Sequence, residues 1–153
     1  MKGGNKMKVK ECMCNQVFSC TPSTTVYDAA KLMQTNHVGC IPVCDNQNCM
    51  VGLVTDRDLV LRCIATDKNA KQTPISEIMT TNVCTCKPDD DMSNAQSKMG
   101  NEQIRRLPVV GNDGQVVGML TLGDIAQNDL EIGQQQVSDT INSICDDEEK
   151  NAE

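Results

Sequence analysis

Two stretches of the 153-residue chain, Gly52-Leu-Val-Thr55-Asp-Arg-Asp58 and Gly118-Met-Leu-Thr121-Leu-Gly-Asp124, set a threonine three residues ahead of an aspartate at the end of an apolar run. A threonine that closes a strand and opens a helix brings free backbone N–H groups and the positive end of the helix dipole to one place, which suits a phosphate. An aspartate one turn further on can accept two hydrogen bonds from a vicinal diol such as that of a ribose. An apolar slot flanked by free backbone groups suits a flat purine. The same Thr-x-x-Asp spacing is also that of a helix capping box, which needs no ligand. Capping would account for the threonine and aspartate together but not for the cations near them. Arg57 lies inside the first motif, and its counterpart in the second is Gly123. Arg105 and Arg106 could compensate there, where the first copy has only Gly39 and Cys40. Each arginine has a plainer reading as a solvated charge or a partner of nearby carboxylates.

The elements that must position these residues are duplicated. Pro42 and Pro108, Gly52 and Gly118, Thr55 and Thr121, and Asp58 and Asp124 all stand 66 residues apart. Laying Met13–Asp58 on Met79–Asp124 needs no gap and matches thirteen of forty-six positions. Chance at ordinary residue frequencies would give roughly three, so the duplication is real. Each copy predicts a short extended segment (Val17–Cys20; Val83–Cys86), a proline-containing turn and an amphipathic helix. In the first helix Thr25 and Asp28 form a capping signal ahead of Val26, Ala29, Ala30 and Met33 at helical spacing; in the second, Asp89–Asp91 favour the helix start. A β-hairpin follows, Cys40–Cys44 with Cys49–Thr55 and Leu107–Val110 with Val116–Thr121, around Asp45–Asn48 and Asn112-Asp113-Gly114. A second helix then carries Leu59, Val60 and Ile64, or Ile125, inward. Asp67–Pro74 reads as a polar connector and Ile75–Met79 as a short helix. Val137, Ile141 and Ile144 predict a C-terminal helix, packed on the body or on a partner chain. One such unit exposes an apolar sheet face and is marginal alone, so two are expected to pack face to face around equivalent clefts.

With this layout the chain resembles a stand-alone Bateman module, a pair of cystathionine β-synthase (CBS) domains, over about Val9 to Asn128. The two Gly-φ-φ-Thr-x-x-Asp motifs (φ apolar), preceded by Ile41-Pro-Val43 and Ile104-Arg-Arg-Leu-Pro-Val109, carry the likeness. The resemblance implies an α+β fold, a tandem CBS-domain repeat of two β-α-β-β-α units related by a pseudo-two-fold. The expected division is repeat 1 at 7–66, a connector at 67–75, repeat 2 at 76–128, and a C-terminal helix with an acidic tail at 129–153. It also implies that AMP, ADP or ATP binds in the clefts, the motif aspartate holding the ribose and the threonine lying near phosphate. One site would use Leu53, Val54, Thr55, Arg57 and Asp58 with Asn82, Val83 and Cys84 around the base. The other would use Met119, Leu120, Thr121 and Asp124 with Gln16, Val17 and Phe18, and with Arg105 or Arg106 as its cation. Other members bind S-adenosylmethionine or dinucleotides, which share adenosine. A homodimer and an effector protein, regulated through a change of shape, complete what the likeness implies.

Composition narrows the alternatives. With 14 basic and 21 acidic residues the net charge is −7, which disfavours nucleic acid and anionic membranes as partners. The run Asp146–Glu149 reads as a solvated tail. No stretch has the length of a membrane span, and residues 1–10 are basic and polar without an apolar signal region, so a cytoplasmic protein is expected; Lys2–Lys6 read as an extension ahead of an alternative start at Met7. One Tyr, one Phe and no Trp leave an aliphatic, sulfur-rich core, with nine Met and ten Cys to fill it. Cys12 with Cys14, and Cys84 with Cys86, form C-x-C pairs that raise a metal or redox sensor as an alternative function. No C-x-x-C occurs, however, and His37 is the only histidine, so no metal site is expected. Without a nucleophile beside a histidine base and without a P-loop, no enzyme is expected either, and His37 reads as a helix-end or hairpin residue. A ligand-free dimerisation module, in which Thr and Asp merely cap helices, is the remaining alternative.

Overall fold

The computed structural model describes residues 7–128 and 132–150, with side chains to Cys145. The acidic run Asp146–Glu149 and the Lys2–Lys6 extension therefore lie outside what the side chains describe. Two compact units result. The first consists of Val17–Val83 with Asp113–Val116; the second joins the N-terminal segment through Gln16, Cys84–Asn112 and the chain from Val117 onward.

The units do not follow the repeat boundaries, and the hydrogen bonds say why. In the first unit, helix α2 (Val26–Asn36) begins at Thr25, whose Oγ1 accepts from Asp28 N. Two of its unpaired N–H groups reach the connector: Val26 N donates to Thr73 O and Tyr27 N to Ala70 O. Ile75 and Ser76, in a 3-10 turn (Ile75–Glu77), donate to Thr24 O and Pro22 O. The second unit repeats this 66 residues on with the N-terminal segment, where α1 (Val9–Cys12) sits. Met92 N, opening α4 (Met92–Glu102), donates to Met7 O; Val9 N and Lys10 N donate to Asp90 O and Pro88 O. Asp91 caps nothing with its side chain, because its carboxylate pairs with Lys8 at 2.9 Å. Each helix start is thus satisfied by the segment that precedes the other repeat in sequence.

Each unit has a two-stranded antiparallel sheet, β1 (Cys40–Cys44) with β2 (Met50–Thr55) and β3 (Arg106–Val110) with β4 (Val116–Thr121). The extended segment expected ahead of each first helix shrinks to one parallel bridge, Cys20 to Val43 and Cys86 to Val109. Pro22 and Pro88, two residues on, offer no N–H to continue a ladder. On the other edge, Thr80 exchanges two backbone hydrogen bonds with Leu53, and Cys14 with Met119, all at 2.9 Å. Gly52 and Gly118 sit under those crossings, and only a residue without Cβ leaves room.

Both cores are aliphatic and sulfur-rich, as the composition requires. Cys20, Val26, Met33, Ile41, Val54, Cys63 and Ile75 pack in the first; Val9, Cys86, Met99, Leu107, Leu120 and Ile125 pack in the second. His37 ends α2 in the left-handed conformation, φ 55°. After α3 (Asp56–Leu59) the chain makes a π-helical turn over Val60–Ile64, closed by Ala65 N donating to Val60 O. This corrects one expectation: Leu59 and Cys63 face the core, while Val60 and Ile64 face outward. Leu59 and Cys63, four residues apart, share the inner face, so the next pair on cannot. The C-terminal helix α6 (Gln134–Lys150) packs on α4 and α5 (Leu122–Gln127) of its own unit, burying Val137 and Ile144.

Candidate functional site

The Thr-x-x-Asp motifs fold as reciprocal caps. Thr55 Oγ1 accepts from Asp58 N at 3.2 Å, and Thr55 N donates to Asp58 Oδ2 at 3.0 Å. In the second unit the same pair of bonds, Asp124 N to Thr121 Oγ1 and Thr121 N to Asp124 Oδ2, measures 3.1 and 2.9 Å. Asp56 N donates to Gly39 O and Leu122 N to Arg105 O, both at 2.9 Å. In the first unit Arg57 N is also taken, by Asp56 Oδ1 at 2.9 Å. The N–H groups expected to be free beside Thr55 are therefore taken by the cap, Gly39 and the Asp56 side chain. Beside Thr121 the Gly123 N–H has no acceptor among the described residues, because Leu122 has no carboxylate with which to reach it.

The aspartates differ as well. Asp58 Oδ1 lies 3.7 Å from Arg62 Nε. Arg62 extends Nη1 to Ile78 O at 3.1 Å and, more loosely, to Met79 O and Thr80 Oγ1. It ties the motif to the crossing segment, a role visible in the sequence only as its i,i+4 spacing from Asp58. The counterpart is Asn128, whose amide donates to Asp124 O at 2.7 Å and leaves the Asp124 carboxylate alone. Among the described residues Asp124 Oδ1 has no hydrogen-bond partner and can accept from a diol.

The other expected site residues fall as follows. Leu53, Thr55 and Asp58 share the first unit with Asn82 and Val83; Cys84 belongs to the second unit, as do Met119, Thr121 and Asp124 with Gln16, whereas Val17 and Phe18 belong to the first. Val54 and Leu120 are fully buried and serve the cores. Leu53 and Met119 give their backbone groups to Thr80 and Cys14, and their side chains are half-buried. Arg57 shares a helix face with Val60 and Leu61, and the three line a groove with Asp56, so Arg62 and not Arg57 is the cation at Asp58. The Arg105 carbonyl receives the first N–H of α5, which sets Arg105 beside Thr121; both arginines engage partners of their own.

Cys12, Cys20, Cys44, Cys63 and Cys86 are buried and pack in the cores. All ten are free thiols, and among the described residues no three of His, Cys, Asp and Glu group to hold a metal ion. Cys84 packs on the core that buries Cys86. Burial pushes the Cys20 thiol up to about 11 and that of Cys86 up to about 12. At pH 8 iodoacetamide is expected to label exposed Cys14 first and to leave Cys20 and Cys86 unlabelled until the fold opens. A thiol raised in the folded state favours the neutral form, so stability holds below pH 9 and declines as pH rises toward these values. Alkaline unfolding followed with site-resolved labelling checks both outcomes.

A family model described as CBS domain matches residues 9–64 and 75–131. The chain belongs to the CBS domain family. The CBS domain-containing protein YhcV of Bacillus subtilis (strain 168) is 40% identical over 122 residues, which span 80% of this chain and 85% of YhcV. Solved CBS structures share the fold. The CBS domain pair of protein MJ0100 in complex with 5′-methylthioadenosine and S-adenosyl-L-methionine superposes with a TM-score of 0.74 at 27% identity, covering 85% of this chain and 99% of that one. CBSX2 from Arabidopsis thaliana in complex with AMP gives 0.71 at 28% identity, covering 82% and 97%. Among the described residues of this CBS protein no helix is long and apolar enough to cross a membrane.

Proposed function

We propose that this CBS protein is a cytoplasmic regulatory module, not an enzyme, that binds an adenine nucleotide and passes the occupancy on to an effector protein as a change of shape. The observation that carries the proposal is the rim at Thr121: an open carboxylate oxygen on Asp124, an unused N–H on Gly123, and Arg105 alongside. Asp124 takes the ribose hydroxyls, Gly123 and Thr121 face the phosphate, and Met119 with Gln16 flanks the base. Similarity to CBS pairs that hold AMP, 5′-methylthioadenosine and S-adenosyl-L-methionine supports an adenosine ligand. A ligand moves an equilibrium only through differential affinity for its two states, so nucleotide must favour one shape of the module. Thermal unfolding with AMP, ADP, ATP and their guanine counterparts tests the reading. Adenine nucleotides at a hundredfold excess over Kd should stabilise by about 2.7 kcal/mol and guanine nucleotides should not; equal shifts for both, or none, would overturn it.

A second reading, assembly without ligand, is favoured in the first unit. There the motif N–H groups are consumed and Asp58 faces Arg62. We take the two units as divided in labour, the second sensing and the first contributing to a homodimer.

A further inference from the structure

The two motif aspartates stand in matched places but face different neighbours. In the first unit Arg62 lays its guanidinium between the Asp58 carboxylate and the crossing segment. Nε lies 3.7 Å from Asp58 Oδ1, while Nη1 donates to Ile78 O at 3.1 Å and reaches Met79 O and Thr80 Oγ1 at 3.5 Å. The arginine is held from behind as well. It belongs to the π-helical turn Val60–Ile64, and Thr66 Oγ1 donates to its carbonyl at 2.8 Å. Sixty-six residues on, its place is taken by Asn128, which ends α5. That short amide turns back to Asp124 O at 2.7 Å, and Asp124 Oδ1 keeps no partner among the described residues.

We infer that Arg62 is a built-in occupant of the space between Asp58 and the crossing segment, standing where an adenosine would and holding the chain to one nucleotide. An adenosine offers two kinds of donor, the ribose hydroxyls and the exocyclic amine of the base. A guanidinium offers N–H donors to both kinds of acceptor from one rigid fork. Nε meets the carboxylate as a ribose would, and Nη1 meets the carbonyls of Ile78 and Met79 as an adenine amine would. A solvated ion pair accounts for the contact with Asp58 but not for Nη1 on the main-chain carbonyls. Charge favours the arginine over an incoming ligand, because it neutralises Asp58 whereas a nucleotide adds negative charge beside it. A ligand must first displace the guanidinium, and an occupant in place about 99% of the time lowers apparent affinity about 100-fold. Arg62 is half-exposed, so its side chain can be removed without opening the core.

The inference rests on the adenine-nucleotide reading and fails separately from it. Arg62→Asn gives the first unit the residue that the second carries at the matched position, and the new amide can turn back to Asp58 O as Asn128 does to Asp124 O. Calorimetric titration of AMP into the full-length chain should count about one molecule per chain for the wild type and about two for Arg62→Asn, the added site gaining about 100-fold in affinity. Asp58→Ala on top of Arg62→Asn should return the count to that of the wild type, which places the added site at Asp58. The reverse exchange, Asn128→Arg, brings a guanidinium to Asp124 and should weaken the wild-type site by about 30-fold or more. Should Arg62→Asn fail to fold by circular dichroism, Asn128→Arg decides. AMP bound by neither wild type nor Arg62→Asn overturns the nucleotide reading itself. An equal count for both proteins overturns the role of Arg62 alone; where only Asn128→Arg can be read, undiminished binding does the same.

Discussion

Asp124→Ala is expected to weaken adenine-nucleotide binding by about 100-fold while lowering the stability of the free protein by only about 1 kcal/mol. The two effects come from the two oxygens of one carboxylate. Oδ2 accepts from Thr121 N at 2.9 Å as half of a capping box, and loss of a cap costs about 1 kcal/mol. Oδ1 has no partner among the described residues, and a hydrogen bond from a ribose hydroxyl to a charged acceptor is worth about 1.5–3 kcal/mol, so losing a diol approaches two orders of magnitude in affinity. Asp124→Asn separates them further, because its amide oxygen can still cap but carries no charge: stability should stay within about 0.5 kcal/mol while much of the affinity goes. Asp58→Ala should cost less binding, since Asp58 already serves Thr55 and Arg62. Calorimetric titration of the three variants, with a thermal melt of each, checks the order. Equal binding by wild type and Asp124→Ala would leave the motif a cap and nothing more.

Gly118→Val, at a buried position, is expected to cost about 2–4 kcal/mol of stability, which lowers Tm by roughly 5–15 °C in a chain of this size. A Cβ built there would lie 2.5 Å from Met13 Sδ and 3.0 Å from Cys14 O. The methionine end can swing aside, but the Cys14 carbonyl cannot, because it accepts from Met119 N at 2.9 Å. Entropy lost by the unfolded chain would favour the substitution by less than about 1 kcal/mol, so the steric effect wins. Gly52→Val should behave alike, its Cβ meeting Met79 Sδ at 2.7 Å and Thr80 O at 3.0 Å. Urea unfolding measures both. A stability unchanged by either substitution would mean that the crossing segments are not held where these hydrogen bonds place them.

Much of the fold is legible in the residues because local signals agree. The 66-residue repeat, the hairpins and the caps at Thr25, Thr55 and Thr121 each follow from spacing and side-chain chemistry alone. What spacing does not convey is who completes a helix start. The exchange of leading segments depends on Val26 and Met92 finding carbonyls at Thr73 and Met7, a long-range choice with no periodic signature. Apolar Val60 and Ile64 read as core residues, yet Leu59 and Cys63 claim the inner face. At the site, the Thr–Asp spacing correctly announced a cap. It did not reveal that Asp56, a one-residue difference from Leu122, would use up the N–H that Gly123 keeps free. Nor did composition distinguish Arg57, which joins the apolar ridge, from Arg62, which reaches Asp58.

We propose that the rim of Asp124, Gly123 and Thr121 receives an adenosine phosphate. Isothermal titration of AMP into the purified full-length protein addresses it with least inference. Saturable heat with about one molecule bound per chain, missing for GMP and abolished by Asp124→Ala, is the predicted result. No saturable heat from AMP, ADP or ATP up to millimolar concentration would contradict it.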